Sequence, residues 1–538
     1  MALPTDADPI RRALNRLTFG ARDTDVAIAN AQGLATWLNG QFAAPQGDDP
    51  ELASFLAQQV LRINYAAPAV NDTQGTWSAL DEMRPLLYLG ADTSMLWEVA
   101  VEAGRTYATQ ERTRIRQELF GATWIRAAHS RYQLREFMVD FWSNHFNVGK
   151  VENEIATALL PIYDRDVIRP NAFGNFRDLL RATAQSSSML IYLDNWLSTA
   201  TTPNENYGRE IMELHTLGQN SYYGTNPSSV PINSDGVANG YSDQDVLQAS
   251  RALSGWTLKN GQRNAGRLIP STGEFFYNGG QHNNNAGKIL NVDFSTITGN
   301  LEQGLRLIDL LAYHPRTGPF IVGKLCRRIF GDSPPATAVN RGVAAWDANK
   351  TAPDQIRKVI EAIVLGGTEI TNLSTQKIRR PFERLIALAR TTGTVVNVSA
   401  DMNTALDAVN DGPFAWQGPN GRPDVDSYWL STGIMLTTWN LVTAFPTWAT
   451  NTTTLMNQTP LDGLLSSIQC VEYWVGRMIG YQLDPSRMTA LQNDQAGSSG
   501  VPAQYRSTTN VTTRATRTET ALRRLVSMIA ATPEFIYR

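Results

Sequence analysis

The sequence predicts a mainly α fold: a large multi-helix assembly with long loops and at most a few short strands. Apolar residues recur three and four positions apart along much of the chain, the spacing that gathers them on one face of a helix. Clear stripes of this kind are formed by Leu134, Phe137, Met138 and Phe141, by Ile356, Val359, Ile360 and Ile363, and by Leu522, Leu525, Val526 and Ile529. Long alternations of apolar and polar residues, which predict half-buried strands, are missing from the sequence. The 42% hydrophobic and 18% charged residues are typical of a globular protein that buries a large core.

Two short segments depart from the helical pattern. Residues Gly273–Tyr277 favour a strand, and Gly393–Val398 fits either a strand or a loop. A helix start is clear at Ser242, because Asp245 follows three residues later and the pair approximates a capping box. Residues 246–253 are therefore predicted to be helical.

The 538 residues are expected to form a single large helical domain, residues 1–538. Three segments within it are rich in Gly, Ser, Asn, Thr or Pro and are predicted to be loop insertions, near residues 219–240, 412–426 and 492–513. Loops of this length are often functional or mobile. They are the first places to expect the rim of a binding site.

Charge and hydropathy narrow the range of partners. The formal net charge is -3 and there is no run of five basic residues, so nucleic acid is not expected as a partner. No apolar run reaches the roughly 18 to 20 residues that a membrane helix needs, so no membrane span is predicted. Cys326 and Cys470 have apolar neighbours, which fits either one disulfide or two buried thiols.

The segment 203–218 carries the densest group of polar side chains and is predicted to be one helix that ends at Gly218. Its functional candidates are the side chains that share or border one helical face: Glu205, Asn206, Arg209, Glu210 and Glu213. Burial of this face would raise the pKa of one carboxyl group, while Arg209 would keep another ionised, as acid/base catalysis requires. The alternative is a structural ion-pair network.

His215 is rotated about 200 degrees from Glu213 on a helix, so the two side chains are not expected to hold a metal together. It is interpreted as a structural histidine near the helix end. A second segment aligns Asp140 and Asn144 at i and i+4, which makes a polar stripe beside an aromatic one. His145 falls on the aromatic side, where it is either a core histidine or a catalytic or metal-binding one.

Aromatic residues near these segments are candidate platforms for sugar rings. Asp194 and Trp196 precede the acidic segment and are predicted to place an acid and an aromatic ring at the mouth of the same pocket, unless they form only a helix-ending turn. Trp142 and Trp256 are further candidate platforms, although an ordinary core also uses tryptophan. No Gly-x-Ser-x-Gly elbow, Walker loop or dinucleotide fingerprint occurs in the sequence.

Several of these segments resemble a bacterial family known as domain of unknown function 1800. The resemblance runs nearly end to end and includes Ala13–Gly20, Phe141–Phe146, Asn204–Tyr207, Leu214–Gly218, Gly240–Asp243, Ala252–Trp256, Lys324–Arg328, Pro419–Asp424 and Trp429–Gly433. It implies a helical fold and an extracytoplasmic protein, periplasmic or secreted. It implies no settled activity, substrate or cofactor.

The leading hypothesis is a secreted glycoside hydrolase that acts on an extracellular polysaccharide or oligosaccharide. Its catalytic carboxylates are sought among Glu205, Glu210, Glu213, Asp140 and Asp194. Substrate binding is assigned to Arg209, Asn206, Asn144, His145, Trp142, Trp196 and Trp256, with no metal ligand and no cofactor. One alternative is a metal- or cofactor-dependent enzyme using His145, His215 or His282 with carboxylates. The other is a non-enzymatic secreted binding or assembly protein; the oligomeric state stays open.

Overall fold

A computed structural model describes residues 8–73, 75–149, 154–264, 266–299, 301–372, 376–448, 455–463, 466–507 and 510–538. The longer helices are Pro9–Leu17, Asp23–Gln32, Leu34–Phe42, Pro50–Ala57, Thr93–Val101, Thr109–His129, Gln133–His145, Phe176–Ala184, Glu205–Glu213, Asp243–Ala252, Glu302–Ala312, Thr317–Phe330, Ala336–Ala348, Gln355–Leu365, Pro381–Thr392, Thr432–Trp448, Ser467–Met478, Pro485–Ala496 and Val511–Ala530. Shorter α-helices are Glu154–Ala158, Leu160–Ile162, Arg169–Asn171, Ser187–Tyr192, Glu369–Asn372, Ala400–Ala405, Asp426–Trp429, Val501–Tyr505 and Pro533–Ile536. A π-helical turn covers Tyr163–Ile168. The mainly α prediction is confirmed.

The strands form small antiparallel pairs. The pairs are Val60–Tyr65 with Leu80–Pro85, Trp256–Asn260 with Ser271–Tyr277, Arg263–Asn264 with Arg267–Leu268, and Lys288–Ile289 with Val292–Asp293. The predicted strand at Gly273–Tyr277 is therefore confirmed, whereas Gly393–Val398 is a loop. Within the described part of the chain, no helix is both long enough and apolar enough to cross a membrane.

One apolar core extends through most of the helices. The helix Pro381–Thr392 lies within it with every residue buried. Its start suits its sequence, because Pro381 occupies the first turn and Glu383 accepts a hydrogen bond from the Arg380 backbone N–H at 2.9 Å. The predicted helix start at Ser242 is also confirmed, since the Asp245 carboxylate accepts the Ser242 N–H at 2.9 Å.

The three predicted loop segments differ in structure. Residues 219–240 are irregular with short 3₁₀ turns, and the 412–426 loop leads into the short helix Asp426–Trp429. The segment 492–513 is not one loop, because helix Pro485–Ala496 extends into it and Val501–Tyr505 is helical. Residues 508 and 509 of that segment lie outside the described part of the chain.

Asp140 lies in a buried charge cluster that joins distant parts of the chain. Its carboxylate accepts hydrogen bonds from Arg328 at 2.9 Å, Arg380 at 2.6 Å and Arg422 at 2.7 Å. These arginines come from helix Thr317–Phe330, from the start of the helix Pro381–Thr392 and from the 412–426 loop. One carboxylate therefore ties three elements to helix Gln133–His145.

Two further carboxylates complete this cluster. Glu383, which is 1% exposed, pairs with Arg328 and lies 3.4 Å from the guanidinium of the C-terminal Arg538. Asp411 is fully buried and accepts a hydrogen bond from Arg380 at 2.9 Å. Because each charge has an opposite partner, the desolvation cost of burying the cluster is offset.

The two cysteines do not form a bridge. Cys326 and Cys470 are both free and buried, and burial raises the pKa of each thiol. Of the two possibilities left open by the sequence, the buried free thiols are the ones observed. The fold therefore relies on packing and on charge pairing.

We predict that Glu383→Gln lowers the free energy of unfolding by about 3–5 kcal/mol, because it leaves buried guanidinium groups without their counter-charge. Guanidinium chloride unfolding followed by circular dichroism measures the change. Glu361→Gln is the matched control, since it breaks a partly exposed i,i+4 pair with Arg357 that is expected to contribute about 0.3–0.5 kcal/mol. Equal stability losses in the two variants would contradict a structural role for the buried cluster.

Candidate functional site

The acidic segment folds as the helix Glu205–Glu213, shorter than the sequence predicts. Asn204 caps its start, because the Asn204 side-chain oxygen accepts the Tyr207 N–H at 3.2 Å. Gly208 permits close packing on the helix Asp243–Ala252, since a Cβ atom at that position would lie 2.3 Å from the Ser250 hydroxyl oxygen. The helix is thereby held with its polar face toward a partly open surface.

Only part of the predicted acidic face is sheltered from solvent. Glu205 and Asn206 are exposed in the first turn, whereas Glu210 and Glu213 are half-buried in the second half of the helix. Glu205 and Asn206 therefore differ from Glu210 and Glu213 in their exposure to solvent, although all four lie on the same helix. Glu210 and Glu213 remain as neighbours on one side of the helix, as their spacing predicts.

Glu210 is a half-buried carboxyl group that makes no hydrogen bond or ion pair with the described residues. Burial, together with the negative charge of Glu213, raises the pKa of Glu210 to about 7, while Arg209 acts weakly in the opposite direction. A carboxyl group with this pKa is present in both protonation states near neutral pH. Glu210 is therefore equipped to exchange a proton.

Arg209 does not hold a glutamate of its own helix. Its guanidinium donates a hydrogen bond to Asp243 at 2.9 Å and lies 5.6 Å from the centre of the Tyr222 ring. The Tyr222 hydroxyl also donates to Asp243, at 2.8 Å. The predicted partner of Arg209 is therefore wrong. Arg209 pairs with Asp243 and not with a carboxylate of the acidic segment.

Two tyrosines border the sheltered glutamates. Burial and the charge of Glu213 raise the pKa of Tyr241, and burial together with the charge of Glu210 raises the pKa of Tyr192 to about 12. Both tyrosines therefore keep their hydroxyl protons at neutral pH. The sequence does not single out either tyrosine, because an isolated tyrosine forms no recognisable motif.

The 412–426 loop is anchored next to Glu210. The Tyr192 hydroxyl donates to the Gln417 carbonyl at 2.6 Å, and the Asn147 amide donates to the carbonyls of Trp416 at 3.0 Å and Gly418 at 2.8 Å. Trp416 is half-buried at this point. The anchored loop thus carries an aromatic ring and is linked through Tyr192 to the surroundings of Glu210.

Asp140 occupies a different electrostatic setting. Burial alone would raise the pKa of Asp140, but the charges of Arg380, Arg422 and Arg328 bring it below its ordinary value. The carboxylate stays ionised, and its oxygens are engaged by guanidinium groups. This geometry gives Asp140 a structural role instead of the predicted role in proton transfer.

Asn144 is also used within the protein. Its side-chain oxygen accepts the Arg422 N–H at 2.7 Å, and its amide donates to the Arg422 carbonyl at 3.2 Å. The adjacent Gly421 has a φ of +71°, and a Cβ atom there would lie 2.2 Å from the Asn144 carbonyl oxygen. Asn144 therefore fixes the 412–426 loop against helix Gln133–His145, and its predicted substrate contact is not available in this arrangement.

His145 is a buried, neutral histidine held at both ring nitrogens. Its Nε2 lies 3.1 Å from the His215 carbonyl, which only accepts hydrogen bonds, so Nε2 carries the proton. Its Nδ1 consequently accepts from the Lys324 ammonium at 2.9 Å. Burial and the nearby charge of Lys324 hold the pKa of His145 well below its ordinary value.

Lys324 and His215 complete this polar group. Burial lowers the pKa of Lys324 to about 8, with Asp424 acting in the opposite direction. Burial and the charge of Lys324 lower the pKa of His215 to about 3, and the His215 Nε2 atom has no hydrogen-bond partner among the described residues. The His215 and His145 rings lie 6.2 Å apart.

A cavity of about 270 Å³ opens between helix Gln133–His145, helix Thr317–Phe330 and the 412–426 loop. Its charged lining includes the five cations Lys324, Arg327, Arg328, Arg380 and Arg422. The carboxylates in the lining are Asp140 and Asp424. Asp140, Asn144 and His145, which are candidates from the sequence, lie on one wall. The opposite wall was not predicted, although Lys324–Arg328 places cations at i, i+3 and i+4.

The predicted tryptophan platforms differ in their exposure to solvent. Trp142 and Trp256 are fully buried, and the Trp142 ring N–H donates to the Ala172 carbonyl at 3.1 Å, so neither ring can stack on a sugar. Trp196 is half-buried beside the exposed Asp194. Asp194 adopts a left-handed φ of 57° in a turn, and the partial desolvation of its carboxyl group raises its pKa although the residue is exposed.

No group of three or more His, Cys, Asp or Glu side chains suited to a metal occurs among the residues that the structure describes. The ring nitrogens of His282 contact the Ser254 carbonyl at 2.8 Å and the Gln303 side-chain oxygen at 3.2 Å. Both ring nitrogens of His145 are also hydrogen-bonded, so each of these two imidazoles is fully engaged by protein groups.

Comparison with known proteins identifies a family. The model of a family described as "Protein of unknown function (DUF1800)" matches residues 12–537, nearly the whole chain. No curated protein and no solved structure matches the sequence.

We predict that Glu210 titrates near pH 7 and that Glu213→Gln moves this titration to lower pH, because the substitution removes the neighbouring negative charge. Infrared difference spectra between wild type and Glu210→Gln isolate the protonated carboxyl band of Glu210. The same spectra recorded in the Glu213→Gln background measure the displacement. A Glu210 band that titrates near the ordinary glutamate pKa would contradict the effect of burial and of the Glu213 charge on Glu210.

Proposed function

Because the chain belongs to the DUF1800 family, whose description names no activity, we propose its function from its side chains: a hydrolase that acts on a carbohydrate, with Glu210 as the proton donor. Glu213 is the second carboxylate of this proposal. An extracytoplasmic site of action, implied by the family resemblance, is part of the same proposal.

The half-buried position of Glu210 beside Glu213, which raises the pKa of Glu210, is the observation that carries the proposal. Hydrolysis of a glycosidic bond needs a carboxyl group that is still protonated near neutral pH, paired with a second carboxylate that is ionised. Burial and a like charge are the two influences that keep a glutamate protonated. Both act on Glu210, and the absence of a partner among the described residues leaves its proton available.

Glu213 lies one helical turn from Glu210, so the two side chains leave the backbone about 5–6 Å apart. In this proposal Glu213 acts as nucleophile or base while Glu210 protonates the leaving oxygen. The half-buried Trp416 ring on the anchored 412–426 loop supports a sugar ring as the substrate, because aromatic faces pack against the apolar faces of sugars.

Glu210→Gln is expected to lower the turnover of a carbohydrate substrate by about 10²- to 10⁴-fold, since an amide cannot donate the required proton. Release of reducing ends from a panel of neutral and acidic polysaccharides identifies the substrate and measures the rate. In the wild type, the rate should fall as the pH rises above about 7, where Glu210 loses its proton. In Glu213→Gln, whatever rate remains should fall off at lower pH.

Glu302→Gln is the control for charge removal, because Glu302 is an exposed glutamate in the first turn of another helix, Glu302–Ala312. Its rate should match that of the wild type. The thermal midpoints of all variants are measured in parallel to separate loss of chemistry from loss of fold. Full activity in a folded Glu210→Gln protein would refute Glu210 as the proton donor.

A further inference from the structure

The cavity beside His145 has an uneven charge balance. Arg328, Arg380 and Arg422 line it, but their guanidinium groups are paired with Asp140. Asp424, which also lines the cavity, forms an ion pair with Lys377 at 2.9 Å. These charges are therefore largely neutralised within the protein.

Two cations in the lining have no such partner. Neither Lys324 nor Arg327 forms an ion pair with a carboxylate of the described residues, and the Arg327 guanidinium has no hydrogen bond among them. The two residues lie three positions apart on helix Thr317–Phe330 and so share a face. Both are half-buried at the cavity wall.

Lys324 is fixed in place by a neutral group. One ammonium hydrogen is donated to Nδ1 of His145, and an ammonium has three donors, so two remain for another acceptor. The opposite ring nitrogen of His145 is held by the His215 carbonyl, which fixes the ring and therefore the position of Lys324. The positive charge is positioned in advance but not neutralised.

We propose that this cavity binds an oxyanion group, a carboxylate, sulfate ester or phosphate ester, through Lys324 and Arg327. An ammonium and a planar guanidinium side by side supply charge-assisted hydrogen bonds to such a group. The backbone around Gly421 and the arginines paired with Asp140 complete the polar wall of the cavity. The volume of about 270 Å³ accommodates the anionic group together with part of the sugar that carries it.

The oxyanion is assigned to the substrate, and this assignment rests on the proposed function. His215 follows Glu213 by two residues and lies against His145, so the cavity and the acidic helix adjoin. The 412–426 loop lines the cavity at Gly421, and its Gln417 carbonyl accepts a hydrogen bond from Tyr192, whose pKa is raised in part by the charge of Glu210. The substrate class is therefore an acidic carbohydrate, such as a uronate or a sugar bearing a sulfate or phosphate ester.

Isothermal titration calorimetry of the full chain with glucuronate, glucose 6-sulfate, glucose 6-phosphate, inorganic sulfate and inorganic phosphate tests this assignment. At least one of the three acidic sugars should bind, and Arg327→Gln should weaken that binding about tenfold or more, because a charged hydrogen-bond donor is lost. Lys324→Gln should weaken it as well. Arg306→Gln, at an exposed arginine of helix Glu302–Ala312, should bind like the wild type.

The outcomes separate this inference from the proposed hydrolase activity. Glu210→Gln should retain binding even though it loses turnover, so a failed activity assay leaves the binding result intact. Binding of inorganic sulfate or phosphate without any acidic sugar would overturn the assignment to a carbohydrate group. No binding by the wild type, or unchanged affinity in a folded Arg327→Gln protein, would overturn the oxyanion site itself.

Discussion

The contact of the Asp140 carboxylate with three guanidinium groups is the interaction on which this region of the fold depends. Arg328, Arg380 and Arg422 approach Asp140 from three different elements within 2.9 Å. A buried carboxylate without partners would be costly, as would three buried guanidinium groups without a counter-charge. Each element is thus held where its charge is paired, and this arrangement brings helix Thr317–Phe330 and the 412–426 loop around one cavity.

The same pairing determines which charges remain for a ligand. Arginines that neutralise Asp140, Glu383 and Asp411 contribute structure and little free charge, because their guanidinium groups are paired with carboxylates. Lys324 and Arg327 belong to the same helix as Arg328 but lie outside this cluster of pairs. A cavity whose scaffold arginines are paired with carboxylates, and whose wall carries two cations without a carboxylate partner among the described residues, is suited to select an anion.

The sequence predicts the local features of this molecule better than the contacts between its distant parts. Helical spacing identifies the apolar stripes and places Glu210 and Glu213 together, since both depend on residues a few positions apart. The partners of Asp140 lie 188, 240 and 282 residues away, so no local pattern in one sequence reveals them. Trp142 and Trp256 have polar neighbours in sequence, yet the helix and the strand that carry them turn both rings into the core.

Asp140 and Glu210 illustrate why residue type and burial together do not define a catalytic acid. Desolvation acts on both carboxyl groups in the same direction and favours the protonated form. Around Asp140 three positive charges outweigh that effect, whereas around Glu210 the negative charge of Glu213 adds to it and Arg209 is drawn away by Asp243. The pair Arg209–Asp243 therefore matters for Glu210 without touching it, because an Arg209 free to turn toward the glutamates would keep them ionised. In the proposed function, proton donation by Glu210 therefore depends on a salt bridge that engages the neighbouring cation.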